Sequence, residues 1–158
     1  MSTGIETARA LALLVTANAV PVIVARLTNE RWAAPLDFGC VLPDGERLFG
    51  SHKTWRGLAS GIVASAVAAQ IMQLPAWVGA GFAAVSLLAD ALSSLVKRRM
   101  KLAPGAEFLG VDQLGEALLP LVLFAEALSI DTEQVIIVTL IFVMVDVAAV
   151  RLRRRTWQ

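Results

Sequence analysis

Two aspartates are the residues of this sequence best suited to chemistry. Asp90 lies in the apolar segment SLLADALSSLVKRR, and Asp112 lies in FLGVDQLGEALLP. A carboxylate inside an apolar helix is costly and usually faces a cavity, a metal or a cationic partner. Magnesium takes one or two carboxylates and completes its shell with phosphates and water. The pair predicts a magnesium site, with a structural ion pair at Asp90 and a helix cap at Asp112 as the alternatives.

Cations follow Asp90 along the same predicted helix. Asp90, Ser94 and Lys97 recur at i, i+4 and i+7, which puts them on one helix face, and Arg98 comes next. Basic residues at a membrane edge are often topology anchors that reach to headgroups. Beside two carboxylates, however, they suit a substrate with several phosphate groups, because each group favours charge-assisted hydrogen bonds from cations. We therefore predict a phosphate-binding role for this cluster.

The segment 35–57, PLDFGCVLPDGERLFGSHKTWRG, is the second concentration of polar residues. Its glycines and prolines predict successive tight turns. Lys53, Thr54 and Arg56 stand just ahead of a predicted helix, where N-terminal backbone amides suit a phosphate. Walker A spacing is absent, and nothing else of a kinase accompanies the DFG triplet. Trp55 is either a base-stacking residue or an interfacial one.

Five apolar segments must position these residues. Apolar residues make up 57% of the chain and charged residues 17%, and the mean hydropathy is +0.69. These values exclude an ordinary soluble domain and predict an all-α integral membrane protein. The predicted transmembrane helices, each close to the ~20 residues that a bilayer requires, are 8–26, 57–74, 76–96, 113–129 and 133–150. The single cysteine, Cys40, excludes an internal disulfide and a cysteine-rich zinc site.

The distribution of Lys and Arg predicts the orientation of these helices. Basic residues concentrate in two long loops, 26–56 and 97–112, and in the tail after 150, whereas Arg9 alone remains for the other side. By the positive-inside rule, the N-terminus lies outside, and the two long loops and the C-terminus are cytoplasmic. Any site for a water-soluble substrate is therefore expected in those loops, on the cytoplasmic face of the plasma membrane.

The remaining sequence features concern the number of domains and the binding partners of the chain. No internal repeat is visible, so residues 1–158 are interpreted as a single transmembrane domain. The net charge of +1 gives no indication of nucleic acid binding, and none is expected. Helix faces rich in Gly, Ala and Ser permit a homodimer without requiring one.

In combination, the polar blocks resemble the CDP-archaeol synthase family. They appear in the family's order and are ANAVP (17–21), PLDFG (35–39), DGERLFGSHKTWRG (44–57), ADALSSLVKRR (89–99) and VDQL (111–114). The most specific part is FG-x-x-KTWRG followed by D-x-x-x-S-x-x-KRR and DQ. The wider phosphatidate cytidylyltransferase superfamily shares the KT-x-x-G and D-x-x-x-S-x-x-KR elements.

The resemblance implies a five-helix membrane enzyme that transfers CMP from CTP to a lipid phosphate with Mg²⁺, forming a CDP-lipid and pyrophosphate. The acceptor would be 2,3-bis-O-geranylgeranylglyceryl phosphate or a lipid like phosphatidic acid. By motif, the metal carboxylates would be Asp90 and Asp112. The residues that would hold phosphates are Lys53, Thr54, Lys97 and Arg98. The residues that would shape the nucleotide end of the cleft are Asp37, Gly39, Asp44 and Gly45.

One departure and two alternatives accompany this interpretation. Family members often have an acidic residue and Asn where this chain has Ser51 and His52, which bears on substrate preference more than on the reaction. A small transporter or channel subunit would explain Asp90 but not the dense polar loop, and the inverted repeats of many transporters are not found. A CDP-alcohol phosphotransferase also handles CDP-lipids, but its D-G-x-x-A-R pattern does not follow Asp44 and Gly45.

Overall fold

The computed structural model describes residues 3–102 and 111–156, which form six helices and one long loop at 29–54. The helices are α1 (Thr3–Thr28), α2 (Trp55–Ile71), α3 (Ala76–Arg99), α4 (Val111–Leu123), α5 (Ala125–Leu128) and α6 (Thr132–Thr156). The described residues form no strand beyond two isolated bridges within the long loop and at its end. The predicted all-α class is therefore confirmed.

The helices occupy the five predicted apolar segments, with one division. The fourth segment separates into α4 and α5 at Phe124, a turn residue with φ −107° and ψ 11°. The Phe124 ring packs where Gly81 of α3 has no side chain: a Cβ at Gly81 would lie 2.6 Å from Phe124 Cζ. By length and composition, two described helices are able to cross a membrane, Gly4–Thr28 and Ala76–Arg99.

Helices α2 and α3 cross at very short range because their contact is built from small residues. A Cβ at Gly79 would lie 2.0 Å from the Ser65 carbonyl oxygen and 2.7 Å from Ala69 Cβ. Ser65 and Ala69 are both fully buried. The absence of a side chain at Gly79 therefore permits the two backbones to meet, as small residues do in helix contacts within membranes.

A proline in α4 is compensated by a serine in α3. Pro120 has no N–H, so the carbonyl of Glu116, four residues earlier, loses its helical hydrogen bond. The buried Ser86 hydroxyl donates to that carbonyl oxygen at 2.8 Å. Asn18 Nδ2 of α1 in turn donates to Ser86 Oγ at 3.2 Å and to the Leu14 carbonyl at 3.0 Å. Three helices thus share one polar contact.

The end of the bundle away from the long loop consists of short turns. Asp131 and Gln134 form a reciprocal capping box at the start of α6, with both backbone N–H to side-chain oxygen distances at 2.9 Å. Asp131 therefore caps this helix. Gln134 Nε2 also donates to Thr7 Oγ1 at 3.0 Å, which joins α6 to α1. The largest fully buried side chains between the helices include Phe82, Leu13, Leu14, Leu121 and Val138.

Candidate active site

The long loop folds back as a hairpin-like excursion between α1 and α2. Its base is closed by two backbone bonds, Leu36 N–H to the Lys53 carbonyl at 2.7 Å and Trp55 N–H to the Ala34 carbonyl at 3.0 Å. Farther out, Leu48 N–H donates to the Cys40 carbonyl at 3.0 Å. The predicted succession of tight turns is confirmed. These bonds place Lys53 at the base of the excursion, against the helices.

Asp37 organises the interior of the loop. Its Oδ1 accepts hydrogen bonds from Gly39 N–H at 2.9 Å and Arg47 Nη2 at 2.6 Å. Its Oδ2 accepts from Phe49 N–H at 3.1 Å and Gly50 N–H at 3.2 Å. Burial raises the pKa of this carboxyl, but the four donors outweigh it and lower the pKa from 3.8 to about 2. Asp37 is therefore ionised and shapes the loop from within.

The outer part of the loop is fastened to the end of α3. Arg99 Nη1 lies 2.8 Å from Asp44 Oδ2, and Arg99 Nη2 donates to the Arg47 carbonyl at 2.8 Å. Gly39 and Gly45 occupy turns with φ of +84° and +83°, a region that glycine adopts without steric cost. Asp44, Gly39 and Gly45 thus set the shape of the loop, and their predicted role at the nucleotide end of the cleft stays a prediction.

Thr54 and Arg56 have structural partners at the start of α2. Thr54 Oγ1 accepts from Gly57 N–H at 3.2 Å and so caps the helix. Arg56 Nη1 donates to Thr28 Oγ1 at 2.7 Å and to the Asn29 carbonyl at 2.8 Å, which ties the end of α1 to α2. Both residues nevertheless line a cavity, so their predicted contact with phosphate stays a prediction.

Lys53 and Asp90 form an ion pair between the loop and α3. The Lys53 side chain is 26% exposed and that of Asp90 24%, so a ligand can reach both. The hydroxyls of Ser93 and Ser94 each donate to the Asp90 backbone carbonyl at 3.0 Å. The Ser94 hydroxyl is therefore bonded to the backbone of the preceding turn of α3 and not to the Asp90 carboxylate.

Two cavities meet at Lys53. The larger, about 540 Å³, lies between α1, α2, α3 and the base of the loop, and Asp90 faces it. The smaller, about 350 Å³, lies between the loop and the end of α3. Ser51, His52 and Lys53 line both. The predicted face of α3 is therefore divided, with Asp90 on the larger cavity and Ser94, Lys97 and Arg98 on the smaller.

The two cavities differ in chemistry. Among the described residues, the lining of the smaller cavity contains one carboxylate, Glu46, and four basic residues, Arg47, Lys53, Lys97 and Arg98. Arg98 is buried, and its Nη1 donates to the Leu102 carbonyl at 3.0 Å. The apolar wall of the larger cavity is formed by Pro21, Val22, Ala25, Leu36, Leu58, Leu87 and Ala91. Val22 is 41% exposed, so this wall reaches the outer face of α1.

Most of the predicted site residues come together here, and others join them. Asp112 starts α4, but its side chain lies outside the described residues, so its predicted role is open. Arg47, Ser51 and His52 were not predicted as site residues. The sequence feature that could have identified them is their position in the same glycine-rich loop as Lys53. The bond from Gln113 Nε2 to Asp146 Oδ2, 3.0 Å, was also not predicted and joins α4 to α6.

A magnesium ion fits the donor set at Asp90 only with help from a substrate. The described residues contain no cluster of three or more His, Cys, Asp or Glu side chains that would hold a metal alone. Magnesium, however, is commonly bound by one or two carboxylates together with substrate phosphates and water. The Asp90 carboxylate is part-exposed and lies beside the cationic Lys53 side chain, so it fits such a shared site.

Sequence comparison identifies related proteins. The profile of the CarS-like family, described as CDP-archaeol synthase, matches residues 11–80 and 77–153. A CDP-archaeol synthase from Thermofilum pendens is 35% identical over 103 residues, or 62% of this chain, and the match spans only 50% of that protein's length. One from Pyrobaculum arsenaticum is 30% identical over 152 residues, which cover 89% of this chain and 91% of that protein.

Structural comparison agrees. A solved structure of an intramembrane enzyme for archaeal membrane lipids biosynthesis matches with a TM-score of 0.70 at 27% identity. The match covers 87% of this chain and 90% of that one. Together with the apolar helices, this likeness identifies the chain as a membrane protein. The family profile covers most of the chain, and the chain therefore belongs to the CDP-archaeol synthase family.

Proposed function

We propose that the protein is a CTP:lipid-phosphate cytidylyltransferase, which transfers CMP from CTP to a membrane lipid phosphate. The observation that carries the proposal is the Lys53–Asp90 ion pair where a cationic cavity meets a cavity with an apolar wall. Two phosphate-bearing substrates of opposite solubility must meet in this reaction. The relatives named CDP-archaeol synthase favour it over a transporter or a CDP-alcohol phosphotransferase.

The smaller cavity is the proposed site of the CTP triphosphate. Lys53, Lys97 and Arg98 bring positive charge to it, and phosphates bind strongly to such groups through charge-assisted hydrogen bonds. Arg47 also lines it, but its Nη2 is held by Asp37. The ordered loop around Asp37 supplies the other wall, so Gly39, Asp44 and Gly45 act through loop shape rather than by direct contact.

The larger cavity is the proposed site of the lipid phosphate. Its apolar wall on α1 and α3 would contact the start of the lipid chains, while Lys53, Thr54 and Arg56 would face the phosphate. The acceptor chains are proposed to be ether-linked isoprenoids, as the family name suggests. An apolar groove discriminates only modestly per methylene, so acyl chains are a weaker substrate rather than an excluded one.

The proposed reaction is an in-line displacement at the α-phosphorus of CTP. An oxygen of the lipid phosphate forms a bond to that phosphorus, and the bond from it to the oxygen bridging to the β-phosphorus breaks. Pyrophosphate leaves with the electron pair. A phosphate monoester is already largely ionised at neutral pH, so no side chain needs to remove a proton.

Lys53 is placed to act on both substrates, because it lines both cavities. It would hold the two phosphates close together despite their mutual repulsion, while Arg98 and Lys97 would bind the departing pyrophosphate. Asp90 and Asp112 are the proposed magnesium ligands. When bound, magnesium neutralises charge that develops on the phosphate oxygens.

The proposed topology places this site at the cytoplasmic face of the plasma membrane. Five crossings, formed by α1, α2, α3, α4 with α5, and α6, would put the N-terminus outside and the C-terminus in the cytoplasm. The concentration of Lys and Arg at the site end of the bundle supports this orientation. Residues 1–158 would act as one transmembrane domain. CTP would then enter from the cytoplasm, and the lipid phosphate from within the membrane.

Pyrophosphate release by the detergent-purified protein tests the reaction. CTP and magnesium would be supplied with the unsaturated archaeal-type ether lipid phosphate, with phosphatidic acid, or with no lipid. We expect release that requires both CTP and a lipid phosphate and that is faster with the ether lipid. The absence of release with either lipid, from protein that remains folded, would contradict the proposed function.

A further inference from the structure

Three exposed aromatic side chains lie on the outside of the long loop. Trp32 is 76% exposed, Phe38 78% and Trp55 46%. The rings of Phe38 and Trp55 contact each other, with centroids 5.9 Å apart. The Trp55 N–H donates to the carbonyl of Ala34, two residues after Trp32. Phe38 and Trp55 therefore form one exposed aromatic pair where the base of the loop meets α2, and Trp32 lies close to that base along the chain.

Two of these aromatic residues are held in an unfavourable backbone conformation. The φ angles are +55° at Trp32 and +48° at Phe38. Phe38 and Gly39 are the centre of a tight turn that the Cys40 N–H closes onto the Asp37 carbonyl at 2.8 Å. Asn, Asp and Gly are preferred at such positions, and other residues are strained by roughly 1–2 kcal/mol. Phe38 adopts this strained conformation and exposes its ring to the surroundings, which suggests that the ring binds something other than the rest of the chain.

The outward rings are separate from the two site cavities. The described lining of the larger cavity includes Leu36, Thr54 and Arg56, which are neighbours of these aromatic residues in sequence. Neither described lining includes Trp32, Phe38 or Trp55. A nucleotide held in the site would not stack on them. Of the two roles that the sequence allowed for Trp55, base stacking is therefore not supported by the geometry.

We propose that Trp32, Phe38 and Trp55 form an interfacial anchor that inserts the outer side of the long loop into the headgroup layer of the bilayer. The chain is a membrane protein, and α1 is long enough to span a bilayer and ends at Thr28, four residues before Trp32. Trp55 is the first residue of α2. The anchor thus lies level with helix ends, where aromatic rings favour the boundary between headgroups and acyl chains.

The positive charges next to the anchor also favour contact with phospholipid headgroups. Arg26 and Arg31 are both exposed and stand on either side of the end of α1. Arginine at a membrane edge extends its guanidinium to lipid phosphates while its aliphatic stem covers apolar surface. The combination of apolar rings and flanking cations favours a phospholipid surface over a second copy of this chain, whose same patch would bring like charges together.

The anchor would set the height of the site relative to the membrane. The inner side of the same loop carries Lys53, so inserting the outer side places the larger cavity at the depth of lipid phosphates. This inference rests on the membrane location of the chain and not on the proposed reaction. Its test can therefore fail while cytidylyl transfer is confirmed, and the reverse is also true.

Fluorescence quenching in lipid vesicles tests the anchor. The chain has four tryptophans, Trp32, Trp55, Trp77 and Trp157. Variants that keep only Trp32 or only Trp55, with the others replaced by Phe, would be reconstituted in phosphatidylcholine vesicles containing an anionic phospholipid. The phosphatidylcholine carries bromine either near the carbonyl end of its acyl chains or near the methyl end. We expect quenching to be about twofold stronger with the shallow bromine.

A water-facing reference is available at the hairpin tip. Pro43→Trp in a background without other tryptophans is expected to be quenched by aqueous acrylamide and not by brominated lipid, since Pro43 is exposed in the outer part of the loop. Three results for Trp32 and Trp55 would overturn the proposal. These are acrylamide quenching alone, no quenching by either agent, and strongest quenching by the deep bromine.

Phe38→Asn separates anchoring from a merely structural role. Asparagine tolerates a positive φ, so we expect this variant to have an unchanged or higher Tm in detergent. In vesicles, the remaining Trp55 should lose about half of its quenching by shallow bromine, because its neighbour no longer holds the surface in the headgroup layer. A lower Tm with unchanged quenching would instead assign Phe38 to internal support and overturn its part in the anchor.

Discussion

The site end of the bundle and the crossing of α2 and α3 are held together in opposite ways. At the site end, ion pairs hold the long loop together and fasten it to α3, as in Asp37–Arg47, Lys53–Asp90 and Asp44–Arg99. At the crossing, backbone meets backbone with no charge at all, at Gly79 and Ser65. Water at the membrane edge permits ion pairs, whereas in the apolar interior close packing supplies the cohesion. Substitutions at the site end should therefore reduce activity, whereas substitutions at the crossing of α2 and α3 should reduce the stability of the fold.

The largest effect is expected from Asp90→Asn. Loss of the carboxylate removes the proposed metal ligand and the partner of Lys53, so turnover should fall by about a thousandfold or more. Folding should be retained, since the site is part-exposed. Pyrophosphate release and thermal unfolding in detergent measure the two effects. Glu126→Gln, the same chemical change on an exposed residue at the opposite end, should leave both unaffected. Near-normal turnover in Asp90→Asn would remove Asp90 from the metal site.

Gly79→Ala should have the largest effect on folding. The new Cβ would meet the Ser65 carbonyl oxygen, which is backbone and cannot rotate away, so the helices must separate. Overpacking of this kind costs about 3 kcal/mol. Gly115→Ala is the matched control, because a Cβ at Gly115 meets nothing within 4 Å. The Tm in detergent should be lower for Gly79→Ala than for Gly115→Ala. Equal Tm values for the two variants would contradict the close contact between α2 and α3.

Asp37→Asn should disturb the loop without separating the helices. The charge-assisted bonds from Arg47 and the backbone amides would weaken, at a cost of about 2 kcal/mol. Asp44→Asn, which breaks the more exposed pair with Arg99, should cost less than about 1 kcal/mol. Limited proteolysis within 29–54 reports on the loop directly. If Asp44→Asn opens the loop as much as Asp37→Asn, the buried carboxylate is not its organiser.

The Asp37 carboxyl predicts that the stability of the long loop depends on pH, whereas the crossing of α2 and α3 should not respond. The pKa of this carboxyl is lowered from 3.8 to about 2 in the folded protein. The stabilisation is complete above pH of about 4 and is lost as the pH falls through about 2, since a protonated Asp37 no longer pairs with Arg47. Protease resistance of the loop should decline over that interval. In the Asp37→Asn variant, this decline should be absent.

Ser86→Ala should give the smallest change. It leaves the Glu116 carbonyl, already deprived of a donor by Pro120, without its bond from α3. Polar contacts within membranes contribute about 1 kcal/mol or less. Ser60→Ala serves as the control, because the Ser60 hydroxyl bonds only within its own helix, to the Gly57 carbonyl. An equal Tm for the two variants would contradict the compensation of Pro120 by Ser86.

The sequence predicted local features better than long-range ones. The helical state of the apolar segments and the turns of the long loop follow from composition and nearest neighbours, and both are present in the structure. The division of the fourth segment at Phe124 depends on space beside Gly81, which is 43 positions away in sequence. No local pattern contains that information.

The candidate site shows the same distinction. Lys53 and Asp90 were both predicted as site residues from their own neighbourhoods, but their pairing spans 37 positions. Thr54 and Arg56 looked like phosphate ligands from their place before a helix, and the structure adds capping and α1 contacts that only the tertiary fold determines. The division of one predicted helix face between two cavities likewise arises from where the loop places Lys53.

The hydrogen bond between Ser86 and the Glu116 carbonyl has a consequence for biosynthesis. In the proposed five-crossing topology, the helix containing Pro120 enters the membrane with a backbone carbonyl that has lost its helical donor, which is costly in lipid until another donor reaches it. The donor resides in α3, which precedes α4 in the chain and so leaves the ribosome first. The newly made α4 thus finds its partner already in place. A chain with α4 moved ahead of α3 would lack that partner during insertion and should be more exposed to quality-control proteases.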